Sequence, residues 1–274
     1  MKISTVLLLF TIVTTSLKCS FCQRIVEGHV TDSLWFRFNM RLWTFRINSN
    51  DAILVENGEI STTKNEAIKA LTFNNNKNIK FPPVKVHEKF PNLVAYQIFN
   101  CSVKDVRHKN FEHLSEIQAV YLGYNLITHI SSDTFIDLPK LKFLSLQGNQ
   151  LQSIDGHMFE NLKNLKELFL NDNHINFISR SAFDDLTELR NISIAENKIE
   201  YLTEEHFQKN TKLENIFLNR NKIRSLSPTM FDNMKLLVGV NLKDNLCIDG
   251  DFYVDIEHCI TRFSELKEKI KKDC

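Results

Sequence analysis

Residues 141–159 read LKFLSLQGNQLQSIDGHMF, and residues 165–183 read LKELFLNDNHINFISRSAF. Laid over one another at an offset of 24, they hold Leu141 with Leu165, Leu144 with Leu168, Leu146 with Leu170, Asn149 with Asn173, Leu151 with Ile175, Ile154 with Ile178, and Phe159 with Phe183. Self-similarity at a fixed period marks a repeat architecture and overrides local helix or strand readings. The register runs on in both directions. Asparagines recur every 24 residues at Asn125, Asn149, Asn173, Asn197, Asn221 and Asn245. One period earlier stands Cys101, flanked by Leu93, Tyr96, Ile98, Val103, Val106 and Phe111. A looser unit before it carries Leu71, Phe73, Asn76, Ile79 and Phe90. The repeats span residues 67–246, about eight coils.

Each column has a physical reading. The Leu-x-Leu pair alternates with polar positions, as a strand with one buried face requires. The asparagine falls where the chain turns off that strand. A phenylalanine column (Phe111, Phe135, Phe159, Phe183, Phe207, Phe231) fills the opposite side and accounts for six of the 21 phenylalanines. The pattern LxxLxLxxN/CxLxxIxxxxF resembles that of the leucine-rich repeat family. The resemblance implies an α/β horseshoe, a curved solenoid with a parallel β-sheet on its concave face and a cap at each end. It also implies that Asn125, Asn149, Asn173, Asn197, Asn221 and Asn245 form a buried ladder, their amides bonding backbone groups of adjacent coils. Cys101 occupies the same column, since cysteine is small and tolerates burial.

Coils bury their apolar faces only against one another, so both ends need covers. Residues 247–274 are expected to form a C-terminal helical cap. Phe263, Leu266 and Ile270 lie there at helical spacing, and Cys247 and Cys274 bracket the segment. A Cys247–Cys274 disulfide resembles the caps of extracellular members of the family, without the CxC start of the commonest version. Residues 21–66 read as an N-terminal β-rich cap, with antiparallel strands in 34–38 and 42–47. Residues 1–20 have the basic start and short apolar run of a secretory signal, with cleavage between 16 and 22. The mature chain is therefore expected to be secreted and extracellular, where disulfides form. No stretch approaches 18 apolar residues, so no membrane insertion is expected. Cys19, Cys22, Cys101 and Cys259 remain unassigned. Cleavage between Cys19 and Cys22 leaves an odd number of cysteines, and with it either a disulfide-linked dimer or a free thiol. The favoured reading is a buried, unpaired Cys101, and a non-covalent dimer stays open.

Catalytic and cofactor signatures are missing. Lys plus Arg number 34 against 33 Asp plus Glu, which removes the basic excess expected of a nucleic-acid partner. The sequence contains no HExxH, no GxSxG and no phosphate-binding glycine run. Cys19 and Cys22 form a CxxC pair, but it abuts the signal. His108 and His113 sit on the convex side with no evident carboxylate partner. No catalytic residue, metal or cofactor is expected, and the chain reads as a non-enzyme. Lys104, Arg107, His108 and Lys109 make a small basic cluster, read as a solvated face in preference to a sulfated-glycan contact. Asn100-Cys101-Ser102 and Asn191-Ile192-Ser193 are N-glycosylation sequons.

The outward strand positions lie two, four and six residues before each ladder residue. The central column reads Gln97, Tyr121, Ser145, Phe169, Ser193, Phe217, Asn241. The column nearer the ladder reads Phe99, Gly123, Gln147, Asn171, Ala195, Asn219, Lys243, and the third reads Ala95, Ala119, Phe143, Glu167, Asn191, Asn215, Gly239. Of these 21 positions only Glu167 and Lys243 are charged while five are aromatic, the composition of an interface centre. Phe99, Tyr121, Phe143, Phe169, Phe217, Asn171 and Asn219 are the expected protein-contact residues. The competing reading makes Phe99, Tyr121 and Phe143 a row that packs only against itself. The function expected is a secreted, non-catalytic module binding another extracellular or cell-surface protein. Two alternatives stay open: an innate-immune pattern-recognition factor for a microbial glycan or lipid, and an extracellular matrix or adhesion component. The strict period leaves no insertion from which a deep ligand pocket would be built.

Overall fold

The computed structural model describes residues 44–47, 55–56, 59–60, 69–77, 79–255, 260–261 and 263–274. The signal segment, residues 34–38, and Cys19, Cys22 and Cys259 lie outside them. In chain order come β1 (Thr44–Ile47), a hairpin of β2 (Val55–Glu56) and β3 (Glu59–Ile60), and β4 (Ala70–Asn74). A one-turn helix, α1 (Val86–Lys89), leads to β5 (Ala95–Phe99), β6 (Ala119–Tyr121) and β7 (Phe143–Ser145). The next coils alternate a strand with a two-residue strand on the return limb: β8 (Ser153–Ile154), β9 (Glu167–Phe169), β10 (Phe177–Ile178) and β11 (Asn191–Ser193). The same alternation gives β12 (Tyr201–Leu202), β13 (Asn215–Phe217), β14 (Ser225–Leu226) and β15 (Gly239–Asn241). The chain ends with β16 (Asp251–Asp255), β17 (Ile260–Thr261) and α2 (Phe263–Asp273). The architecture is the leucine-rich-repeat solenoid.

One sheet runs the length of the coils in the order β1-β4-β5-β6-β7-β9-β11-β13-β15-β16-β17. Pairing is parallel from β1 to β15, and the register steps one coil per strand, Leu144 beside Leu168 beside Ile192. The expectation of an antiparallel strand in 42–47 is corrected here. Thr44 pairs with Ala70 in parallel, so β1 joins the main sheet as a parallel edge strand. Antiparallel pairing appears in the β2–β3 hairpin and where β16 and β17 close the far edge. There α2 buries Leu266 and Ile270 against the core, and Cys247 is bonded to Cys274.

Inside, the ladder forms as the repeat implies. Asn149 Nδ2 donates to the carbonyls of Leu122 (3.0 Å) and Leu146 (2.9 Å), and its Oδ1 accepts from the Ile127 N–H (3.1 Å). Asn173, Asn197, Asn221 and Asn245 repeat these bonds, and Asn125 bonds the backbone of Ile98, Leu122 and Val103 in the same way. Cys101 is buried and free, its Sγ 3.5 Å from the Phe99 carbonyl. Phe111, Phe135, Phe159, Phe183 and Phe207 are buried on the far side, and Phe159, Phe183 and Phe207 stack coil on coil.

Two further columns accompany the ladder. The residue before each ladder position is left-handed: Asn75, Asn100, Tyr124, Gly148, Asp172, Glu196, Arg220 and Asp244 have φ from 51 to 65°. On the convex side, Asn110 and His206, four periods apart, make equivalent bonds. Asn110 Oδ1 accepts from the Arg107 N–H (2.8 Å) while Nδ2 donates to the Pro82 carbonyl (2.8 Å). His206 Nδ1 accepts from the Thr203 N–H (3.1 Å) while Nε2 sits 3.2 Å from the Ile178 carbonyl of the previous coil.

Candidate binding face

Strand alternation carries every second side chain of the main sheet to its outer, concave surface. Parallel register then brings equivalent positions of neighbouring coils side by side. Ala70, Ala95, Ala119 and Phe143 lie abreast and form a small apolar cluster separate from the solenoid core. Tyr121 and Phe169 pack against it from the next column, with ring centroids 4.5 and 5.3 Å from that of Phe143. The result is a continuous ring row across β6, β7 and β9.

Phe143 is therefore placed differently from its expected role. Only 8 % of its surface is exposed, because small alanines on one side and two rings on the other close around it. It supports the row and does not present a contact surface. Tyr121 and Phe169 keep one face open, being half-buried. Burial and the nearby Glu167 carboxylate push the Tyr121 hydroxyl far above its ordinary range, so it stays protonated. Each aromatic pair in such a row contributes about 0.5–1.5 kcal/mol beyond the area it buries.

Phe99 does not join this row. It meets Tyr124 edge-on at 5.2 Å, and Tyr124 lies across Gly148, where an added Cβ would come within 2.7 Å of the tyrosine ring. Tyr124 is 43 % exposed and belongs to the left-handed column, outside the three columns the alternation assigns. The sequence signal was available: a large aromatic two residues before an exposed leucine, in a turn column that otherwise carries short or charged residues.

Beyond β9 the face changes character. Asn191, Asn215 and Gly239 replace the alanines, and Asn215 Nδ2 donates to Asn191 Oδ1 at 2.8 Å. Phe217 is half-buried and has no ring partner among the described residues. Asn171 and Asn219 are half-buried two residues before the ladder, just past β9 and β13, with Ala195 of the intervening coil between them. Arg220 pairs with both Glu196 and Asp244 along the rim, at 3.2 and 3.4 Å. The surface thus splits into an aromatic half over β5–β9 and an amide-rich half over β11–β15.

The convex histidines are corrected as well. His108 Nε2 is 2.9 Å from Asp137 Oδ2, a carboxylate one coil further on that linear spacing does not reveal. Lys104, Arg107 and Lys109 stand exposed beside it, and Arg107 is neutralised by Asp105 at 2.5 Å. Among the described residues no group of three or more His, Cys, Asp or Glu is placed to hold a metal ion, and no helix is long and apolar enough to cross a membrane.

A family model described as a BspA-type leucine-rich repeat region matches residues 128–251 in six copies, and a second leucine-rich-repeat model matches residues 91–151. No curated protein matches the chain. Among solved structures, the chain is similar to one in the crystal structure of a TLR13–ssRNA13 complex, at 19 % identity and a TM-score of 0.47. That similarity covers 65 % of this chain and 33 % of the other, so this chain spans about a third of that one's length.

Proposed function

This chain belongs to the leucine-rich-repeat proteins, and on that premise we propose that it is a secreted, non-catalytic module binding another extracellular or cell-surface protein. The contact is the aromatic half of the concave sheet. The observation that carries the reading is the Tyr121–Phe143–Phe169 row, with ring centroids 4.5 and 5.3 Å apart on the outer side of the sheet. Tyr121 and Phe169 remain partly exposed beside the buried Phe143, and rings so placed suit a partner's apolar groups. The row is also rigid: Phe143 is clamped from both sides, so little side-chain entropy is lost on contact. Phe99 and Tyr124 extend the same platform toward the strand ends. Secretion is supported by residues 1–20, which have the composition of a cleaved leader.

The purified chain, used as bait in extracellular fluid, is expected to retain a protein partner. Truncating an aromatic anchor at an interface centre costs about 2 kcal/mol or more, roughly thirtyfold in affinity. Tyr121→Ala and Phe169→Ala should each lose that much, while Lys222→Ala, on the exposed limb beyond the ladder, should lose nothing. Equal affinities for all three variants would refute the concave contact.

A further inference from the structure

The geometry points to Asn191 as the attachment site of an N-linked glycan that rises from the concave sheet between two phenylalanine rings. Asn191-Ile192-Ser193 has the acceptor spacing, and β11 turns Asn191 and Ser193 outward while Ile192 is fully buried. Ser193 pairs in register with Phe169 on one side and Phe217 on the other. The serine between the two rings is itself buried, and the half-buried Asn191 stands on the same strand at one end of that pair. Diagonal neighbours on adjacent strands stand about 7–8 Å apart, so the first sugar on Asn191 reaches either ring. The C–H face of a pyranose then packs on the electron-rich face of the aromatic.

The amide itself is prepared for this. Asn215 Nδ2 donates to Asn191 Oδ1 at 2.8 Å, which fixes the side chain. The Asn191 Nδ2, the atom that bears the sugar, takes no part in that bond. The second sequon is built differently. Asn100 Oδ1 accepts from Lys77 Nζ (2.8 Å) and its Nδ2 donates to Asn75 Oδ1 (2.6 Å), so both ends of that amide tie coils together. In the transfer, the Asn191 Nδ2 forms a bond to C1 of the first sugar of a lipid-diphosphate-linked oligosaccharide. The C1–O bond breaks, the lipid diphosphate leaves with the electron pair, and Nδ2 gives up one proton. The placement gives Phe217 a role that the ring row does not, and it confines the protein contact to β5–β9. It rests on the secretory route proposed above, because only an exported chain meets such a donor.

The test is expression of the full chain in cultured animal cells, followed by amidase release of N-glycans in heavy-oxygen water and peptide mapping. The expected result is a heavy-oxygen aspartate at position 191 in the secreted protein, absent from Asn191→Gln. The glycosylated protein should melt above Asn191→Gln, and that gain should disappear in Phe217→Ala. A secreted chain with unmodified Asn191 would overturn the site. A melting gain unchanged in Phe217→Ala and in Phe169→Ala would overturn the ring cradle. A chain retained inside the cell would count against the secretory route instead. The same chain behind an added export signal then decides the site by the same mapping.

Discussion

Gly148→Ala is the perturbation that reads the platform's edge most directly. At φ +65° an alanine sits in the left-handed region, which costs about 1–2 kcal/mol, partly offset by about 0.4–1 kcal/mol from the stiffer unfolded chain. The new Cβ also meets Tyr124 Cδ1 at 2.7 Å and two more ring atoms at 3.0 Å, closer than real contacts allow. Since Tyr124 is partly exposed, the ring swings away, and its edge-on contact with Phe99 is lost at a cost of about 0.5–1.5 kcal/mol. The sum is about 2 kcal/mol. In a Tyr124→Ala background there is no ring to displace, and only the backbone cost, about 1 kcal/mol, remains. The two substitutions should therefore couple by about 1 kcal/mol in a double-mutant cycle. Urea unfolding of the four proteins measures this: at a slope of about 2 kcal/mol/M the coupling moves the midpoint by about 0.5 M. Additive midpoints would show that Tyr124 does not rest on Gly148 and that Phe99 lacks this support.

His206→Asn should unfold within about 1 kcal/mol of the parent, because asparagine already makes the equivalent pair of bonds at Asn110. His206→Ala leaves the Ile178 carbonyl and the Thr203 N–H without their partner and should cost about 2–4 kcal/mol; equal midpoints for the two variants would refute the equivalence. Burial pushes the Cys101 thiol up, so less reactive thiolate exists at a given pH. Iodoacetamide at pH 8 should leave Cys101 unlabelled in the folded protein and modify it after urea, with labelling before unfolding as the contrary result. Opening the Cys247–Cys274 bridge, with its 27-residue separation, should release about 3–4 kcal/mol of unfolded-chain constraint. Amide exchange in α2 should accelerate first, and unchanged exchange there would show that the bridge does not anchor the cap.

The coil period was legible because one residue type does one job in each column. Asn149 and Asn173 make the same set of bonds, and no other side chain supplies both an acceptor and two donors in that space. The left-handed column was not legible, since Tyr124, Gly148, Asp172 and Arg220 share no chemistry. Their conformation is imposed from outside, by the ladder amide on one side and the next coil's carbonyls on the other, as where Tyr124 N–H donates to Gln147 O at 2.8 Å. Phe143 was misplaced for a related reason. Alternation says which way a side chain points but not what stands beside it, and a small alanine abreast with two rings packed against it makes an outward position a buried one. The β16 strand is not legible either, because its pairing partner β15 is fixed only once the last coil exists.

The placement of Tyr121 bears on what the aromatic half selects. Its hydroxyl is held protonated by burial and by the Glu167 charge, so across the physiological range it never becomes an anion. The rings of Phe143 and Phe169 beside it carry no charge, and the alanines behind them none. A contact built this way rewards apolar area and one neutral polar group, and it offers nothing to a phosphate or a dense anion. Apart from Glu167, which stands beside Phe143 on β9, the charged residues lie at the rim, where Glu196, Arg220 and Asp244 neutralise one another. Complex formation should consequently change little in rate or affinity when salt is raised several-fold, since the exposed ion pairs that salt screens are outside the contact. A strong loss of affinity with salt would transfer the contact from the ring row to the convex cluster of Lys104, Arg107 and Lys109.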